Sequence, residues 1–258
     1  MILRPLDPKP AASAEFVAAW PVIQGIQKQE YESCWLITQP SHAALAGDLA
    51  AALSIPQLPQ PDAKLIQAIA LHDAGWGMAD AQIIQMSRAD SRYKPGSFLE
   101  TSVPEFLSAW SKSVAAGQAL SPVGGYIVSR HFYRLAENLL ASAGSNKEDR
   151  QRLESFLSNE GRRQKKLATQ QSLGLQELEL LTDLLQFCDL LSLYICSGTQ
   201  ENVIFPEYFG TKMRITNGSE GMALDQPWIW PGSKFAFAAL RHPLREDVQG
   251  KEIEVQIL

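Results

Sequence analysis

Apolar positions recur at three- and four-residue spacings through the middle of the chain, and the pattern gives way to alternation at both ends. "SCWLITQ" (33–39) reads as a short strand closed by Pro40. Residues 41–53, "SHAALAGDLAAAL", read as a helix that "IPQLPQP" terminates. Asp62 caps the next helix, "LIQAIALHDAGWG", which runs to His72 and breaks at a glycine–tryptophan–glycine turn. Residues 78–100 are polar, contain "YKPGS", and predict a long loop or a broken helix. A capping box, Ser102 with Glu105, opens a helix over 102–117. Ser121 and Pro122 start another that reaches about 143; Asn146 opens one to about 170, and Leu175 to Cys196 forms the last. From about 203, short segments mix aromatics, β-branched residues, prolines and glycines, and predict strands that join the N-terminal strand in a small sheet. The pattern therefore predicts a mainly α fold in a single domain, 1–258. Its helical core covers 36–200, and a β-containing appendage is drawn from 1–35 and 203–258.

Composition narrows the class of function. The chain is 45% apolar and 20% charged, ordinary for a globular protein, and its net charge of -5 gives no field to attract nucleic acid. The one basic run, "GRRQKK" (161–166), reads as a solvated helix face, which argues against a nucleic-acid partner. "MILRPLDPKP" has no apolar segment of the secretory kind. The most apolar stretch, "LLTDLLQFCDLLSLYIC", is interrupted by Asp183, Gln186 and Asp189, so a buried helix is expected rather than a membrane span. Cys34, Cys188 and Cys196 form no CxxC pair and leave one over, which fits a reducing cytoplasm. A homo-oligomer is left open.

The informative residues are ionisable ones on apolar faces. His42 is in register with Leu45, Ala46, Leu49 and Leu53. His72 follows Leu65 and Ile69, with Asp73 beside it; His131 continues the row of Ile127 and Leu135. Glu160 falls in the row Leu153, Phe156, Leu157, and Asp189 follows Leu181 and Leu185. A single such residue is commonly a satisfied core group or a helix end. Three histidines and three acids on five helices are better explained together, by a shared cation that makes buried carboxylates tolerable. Imidazole with carboxylate suits Fe, Mn, Zn, Co or Ni, as one or two ions.

The ordered set His42, then His72-Asp73 at a helix end, then Asp189 in a late apolar helix resembles the H…HD…D signature of the HD superfamily. That likeness covers about 36–200. It implies an HD-domain-like helical bundle in which those four residues hold a divalent metal, usually for phosphate-ester hydrolysis. "LITQPSHAALAG", "ALHDAGW", "VSRHFYRLA", "FLSNEGRRQ" and "LLQFCDLLSLYIC" also resemble an uncharacterised bacterial family of HD-like proteins. Two departures stand out. Trp76 replaces a small or basic residue, either as a packing anchor or as a wall of the substrate pocket. Dinuclear members have two further histidines, whereas this chain has only His131, with Glu160 midway between it and Asp189. Glu160 is expected either to replace the missing ligand or to hold a metal-bound histidine from behind.

Three functions follow from this set. The first is metal-dependent hydrolysis of a small anionic substrate, a phosphate ester or similar group, attacked by metal-bound water. In it Asp73, His131 and Glu160 take catalytic roles, and Arg130 and Arg134 either hold the anion or sit as solvated helix charges. The second is a non-haem di-iron oxygenase of the same fold. The third is a catalytically silent binding module, with "PWIWPGSKFAF" (227–237) as its interaction surface or as ordinary sheet packing.

Overall fold

The computed structural model describes residues 1–258 except 10, 13, 143–145, 219–220 and 245–249. Its helices are α1 Ala19–Gln27, α2 Gln39–Ala52, α3 Ala63–Ala70, α4 Gly77–Ala89, α5 Val103–Leu120, α6 Pro122–Ala141, α7 Lys147–Ala168 and α8 Leu175–Ser197. Local signals set their starts. The Thr38 hydroxyl accepts from Ser41 N, Asp62 accepts from Leu65 N, and Ser121 and Asn146 cap α6 and α7 in the same way. Glu105 reaches back to Ser102 N at 3.1 Å. In α7, Glu148 and Asp149 lie in the first turn and Lys165 and Lys166 in the last, which complements the helix dipole.

α8 is the central element. By length and composition it could cross a membrane, but 78% of its apolar window is buried inside the fold, as expected of a core helix. Helix α2 packs on one side of it and α6 on another, and Phe187 meets Phe205 and Trp228 in edge-on and tilted contacts. α5 and α6 approach closely because Gly117 and Gly124 face each other; a Cβ on Gly124 would lie 2.8 Å from Gly117 O.

The strands are β1 Ile2–Pro5, β2 Val17–Ala18, β3 Cys34–Ile37, β4 Val203–Tyr208, β5 Thr211–Asn217, β6 Met222–Leu224, β7 Lys234–His242 and β8 Lys251–Gln256. They form two four-stranded sheets, ordered β1-β3-β7-β8 and β2-β4-β5-β6. With 54% helix and 17% strand among the described residues, the fold is mixed α/β and not mainly α, which corrects the expectation from sequence. β3 does join a C-terminal strand, Cys34 pairing with His242. The error lay at the N-terminus, where two- and four-residue strands are too short to show alternation, and in one sheet being expected where there are two.

Two local readings resolve to one of their alternatives. The polar stretch 78–100 is a broken helix: α4 ends at Ala89 and a short helical turn follows at Phe98–Glu100. Buried Asp80 of α4 accepts from Gln39 N at 2.5 Å through its Oδ2 and so anchors the start of α2. The aromatic run 227–237 is largely core: Trp228, Ile229, Phe235 and Phe237 are buried and only Trp230 among its aromatics projects. Trp228 packs against Phe187 of α8, and β7, which carries Phe235 and Phe237, packs against α2.

Candidate metal centre

Four elements bring His42, His72, Asp73, His131 and Asp189 together. His42 stands in the first turns of α2, His131 in mid-α6 and Asp189 in mid-α8. α3 ends at Ala70, two residues earlier than its periodicity suggests, so His72 and Asp73 occupy the turn into the short helical turn Ala74–Trp76. That turn is pressed onto α5. Gly75 N donates to Ser113 Oγ at 3.0 Å, and a Cβ at Gly75 would sit 2.0 Å from Ala109 O, so no side chain fits there.

Hydrogen bonds fix the histidine tautomers. His72 Nδ1 lies 2.8 Å from Ile69 O and must carry the proton; Nε2 is left buried with no hydrogen-bond partner. Ser192 Oγ donates to Asp189 O at 2.8 Å, so toward His42 it can only accept, and His42 Nδ1, 2.8 Å away, must donate. The His42 Nε2 lone pair then faces Asp73 Oδ2 at 2.9 Å. Two acceptors in such contact repel unless a cation or a proton lies between them.

The remaining separations define a small polyhedron. His72 Nε2 is 3.3 Å from Asp189 Oδ1 and 3.7 Å from Asp73 Oδ2; His42 Nε2 is 3.7 Å from Asp189 Oδ1. Donors bound to one ion at roughly 2.0–2.2 Å stand roughly 2.8–3.6 Å apart, so His42, His72 and Asp189 are spaced to hold a single divalent metal. His42, His72 and Asp189 form a group able to hold an ion, and Asp73 Oδ2 lies beside it, 2.9 Å from His42 Nε2 and 3.7 Å from His72 Nε2. Each histidine is held from behind by Ile69 O or Ser192, as metal-bound imidazoles usually are.

Charge follows the same geometry. Burial opposes protonation of His72, but Asp73 and Asp189 overcome it and raise its pKa to about 9. Burial would raise the Asp189 carboxyl, yet His72 and the other imidazoles hold it at about 2. A proton on His72 thus does electrostatically what a metal ion would do. His131 differs: burial pushes it down to about 4 despite Asp189, whose Oδ2 is 3.9 Å from its Nε2.

The other expected residues lie elsewhere. Glu160 is buried but accepts from Arg163 Nε at both oxygens, 3.2 and 3.0 Å, and Arg163 also donates to Gln118. Among the described residues no contact joins Glu160 to His131. Its charge is answered by a cation one turn along its own helix, a short-range pairing that heptad-like bookkeeping of the apolar row does not weigh. Arg130 donates to Glu179, and Arg134 to Glu179, Asp183 and Gln186. Neither arginine lines the cavity over the cluster. Trp76 does line it and also packs edge-on against Phe106 at 5.2 Å, so it is anchor and wall at once. Ser192 was missed, although its place three residues after Asp189 on the same helix put it in reach.

That cavity has a volume of about 530 Å³, with His42, Asp73, His131 and Asp189 at its polar end. Pro206 and Tyr208 of β4 close one side, so the β region helps to build the site. A family described as a protein of unknown function (DUF3891) matches residues 26–245. The chain belongs to that family. No curated protein and no solved structure matches it. As a DUF3891 member it carries every cluster residue within the matched span, from His42 to Asp189.

Proposed function

We propose that this protein is a metal-dependent hydrolase of a phosphate ester, with an HD-like helical core and one divalent ion held by His42, His72, Asp73 and Asp189. The observation that carries the reading is the convergence of two imidazole lone pairs and two carboxylates, with His72 Nε2 buried and unpartnered. When bound, the ion supplies Lewis acidity and a lowered pKa for coordinated water. The chain supplies the rest. Ser192 and Ile69 O orient the two imidazoles, and burial excludes bulk water from their ring nitrogens. His131 is a neutral imidazole on the cavity wall; a proton taken at Nε2 is stabilised by Asp189 and readily released again, which suits a shuttle to the leaving group.

Among the described residues, a two-ion centre, as the oxygenase reading needs, would have only His131 and the second oxygen of Asp189 for its other ion, because Glu160 is paired with Arg163. Three free, buried cysteines support a reducing compartment, the cytoplasm. The test is turnover of bis(p-nitrophenyl) phosphate by protein reconstituted with Mn, Fe, Co, Ni or Zn. Hydrolysis lost on chelation and restored by metal is expected; hydrolysis that survives loss of both His72 and Asp73 would overturn the reading.

A further inference from the structure

The walls of the cavity carry information about what enters it. An unbroken series of rings leads away from the cluster: His131 against Phe132 at 4.9 Å, Phe132 stacked on Trp110 at 5.1 Å and 17°, Trp110 to Phe106 at 5.3 Å, and Phe106 to Trp76 at 5.2 Å. Trp20 and Phe98, 6.5 Å apart, face the same space from α1 and the turn before α5. The neutral polar groups of the wall include the amides of Gln24, Gln39, Asn138 and Gln186 and the hydroxyl of Tyr208, whose pKa burial raises.

Among the residues that line the cavity there is no lysine or arginine. The two nearest candidates, Arg130 and Arg134, are matched in charge by Glu179 and Asp183. Two aspartates and one divalent ion leave the polar end near neutrality. A dianionic or polyanionic phosphate would then add uncompensated negative charge in a poorly solvated space, where guanidinium forks usually answer it. A monoanion leaves only one charge for the ion to meet. Flat aromatic walls meanwhile reward an apolar body, at about 25 cal/mol for each Å² removed from water.

We infer that the cavity takes a phosphodiester with at least one aryl or alkyl arm, its single negative charge at the metal end and its apolar arm along Phe132, Trp110 and Phe106. The inference rests on the metal-site reading above and excludes phosphomonoesters and nucleoside polyphosphates as preferred ligands.

The test is calorimetric binding of diphenyl phosphate, phenyl phosphate, inorganic phosphate and ATP to zinc-loaded protein, alongside turnover of the corresponding p-nitrophenyl esters. Diphenyl phosphate is expected to bind at least about tenfold more tightly than the other three, because one more ring is buried and one charge fewer is desolvated. Half-buried Leu139, at the apolar end, gives the variant that reads charge: Leu139→Lys should leave metal content unchanged and shift the preference toward phenyl phosphate. Half-buried Phe106 gives the second variant, Phe106→Leu, which should weaken diphenyl phosphate while sparing inorganic phosphate. Tighter binding of phenyl phosphate or ATP to the unaltered protein would overturn the inference, as would an unchanged ranking in both variants. Chelator-sensitive hydrolysis with the wrong ranking would remove the diester assignment alone. Diphenyl phosphate binding in the expected order without turnover would uphold the ligand class and remove the hydrolase reading.

Discussion

Helices α6 and α8 carry two charged clusters, and the two are built to opposite rules. In the first, Arg130 and Arg134 meet Glu179, Asp183 and Gln186. Each cation has its anion, donors point at acceptors, and the set is closed. In the second, His131, which lies between those two arginines on α6, and Asp189, past Gln186 on α8, join His42, His72 and Asp73, and the count does not close. Two lone pairs and two carboxylates face one another, and His72 Nε2 and His131 Nδ1 are buried without hydrogen bonds. Unbalanced donors and acceptors in a buried place are costly, so a fold keeps them where something else completes the set. Titratable residues alone do not separate a site from a structural network; the balance of lone pairs and protons does.

The comparison can be broken most forcefully at the cluster. His72→Ala or Asp189→Ala is expected to abolish stoichiometric metal binding, read by plasma emission spectrometry after dialysis, because each removes a donor at the centre of the polyhedron. Retention of a full equivalent in both would contradict the ligand assignment. Ser192→Ala should lower metal affinity about 10- to 100-fold in a chelator competition while the fold persists, since the His42 ring loses its orienting acceptor.

Proton and metal compete for His72 Nε2. With its pKa raised to about 9, apparent metal affinity should climb about tenfold per pH unit between about pH 7 and 9. In a chelator the same shifts govern stability. His72, raised, contributes stability that is complete below its ordinary 6.5 and lost as pH rises through about 9. His131, lowered, favours the unfolded chain as pH falls from 6.5 through about 4. The thermal midpoint without metal should therefore peak near pH 6.5, and a profile flat from 4 to 9 would refute the charge assignments. The smallest effect belongs to the closed network. Arg134→Met should cost about 1–2 kcal/mol in denaturant unfolding and leave metal content unchanged.

The sequence made the helical half legible because strong caps and long amphipathic rows repeat there: Asp62, Ser121 and Asn146 all cap the helices expected of them. Buried His42, His72 and His131 and half-buried Asp189 were visible for the same reason, each breaking an apolar row. Glu160 broke its row too, but what answered it was Arg163 on the next turn, and periodicity cannot tell a buried ion pair from a ligand. The pairing of β3 with a C-terminal strand was expected, but the division into two sheets was out of reach, because the two-residue β2 pairs with β4 across 186 residues and no local pattern records a partner so distant. The aromatic wall was hidden in plain view, since Phe106 and Trp110 at helical spacing read equally as core.

The most direct measurement is anomalous diffraction from crystals soaked in zinc or manganese, recorded at the metal edge. A single peak about 2.0–2.2 Å from His42 Nε2 and His72 Nε2 and from one oxygen each of Asp73 and Asp189 is the expected result. No peak at this cluster, or one bound by Glu160 and Arg163's neighbours instead, would contradict the account.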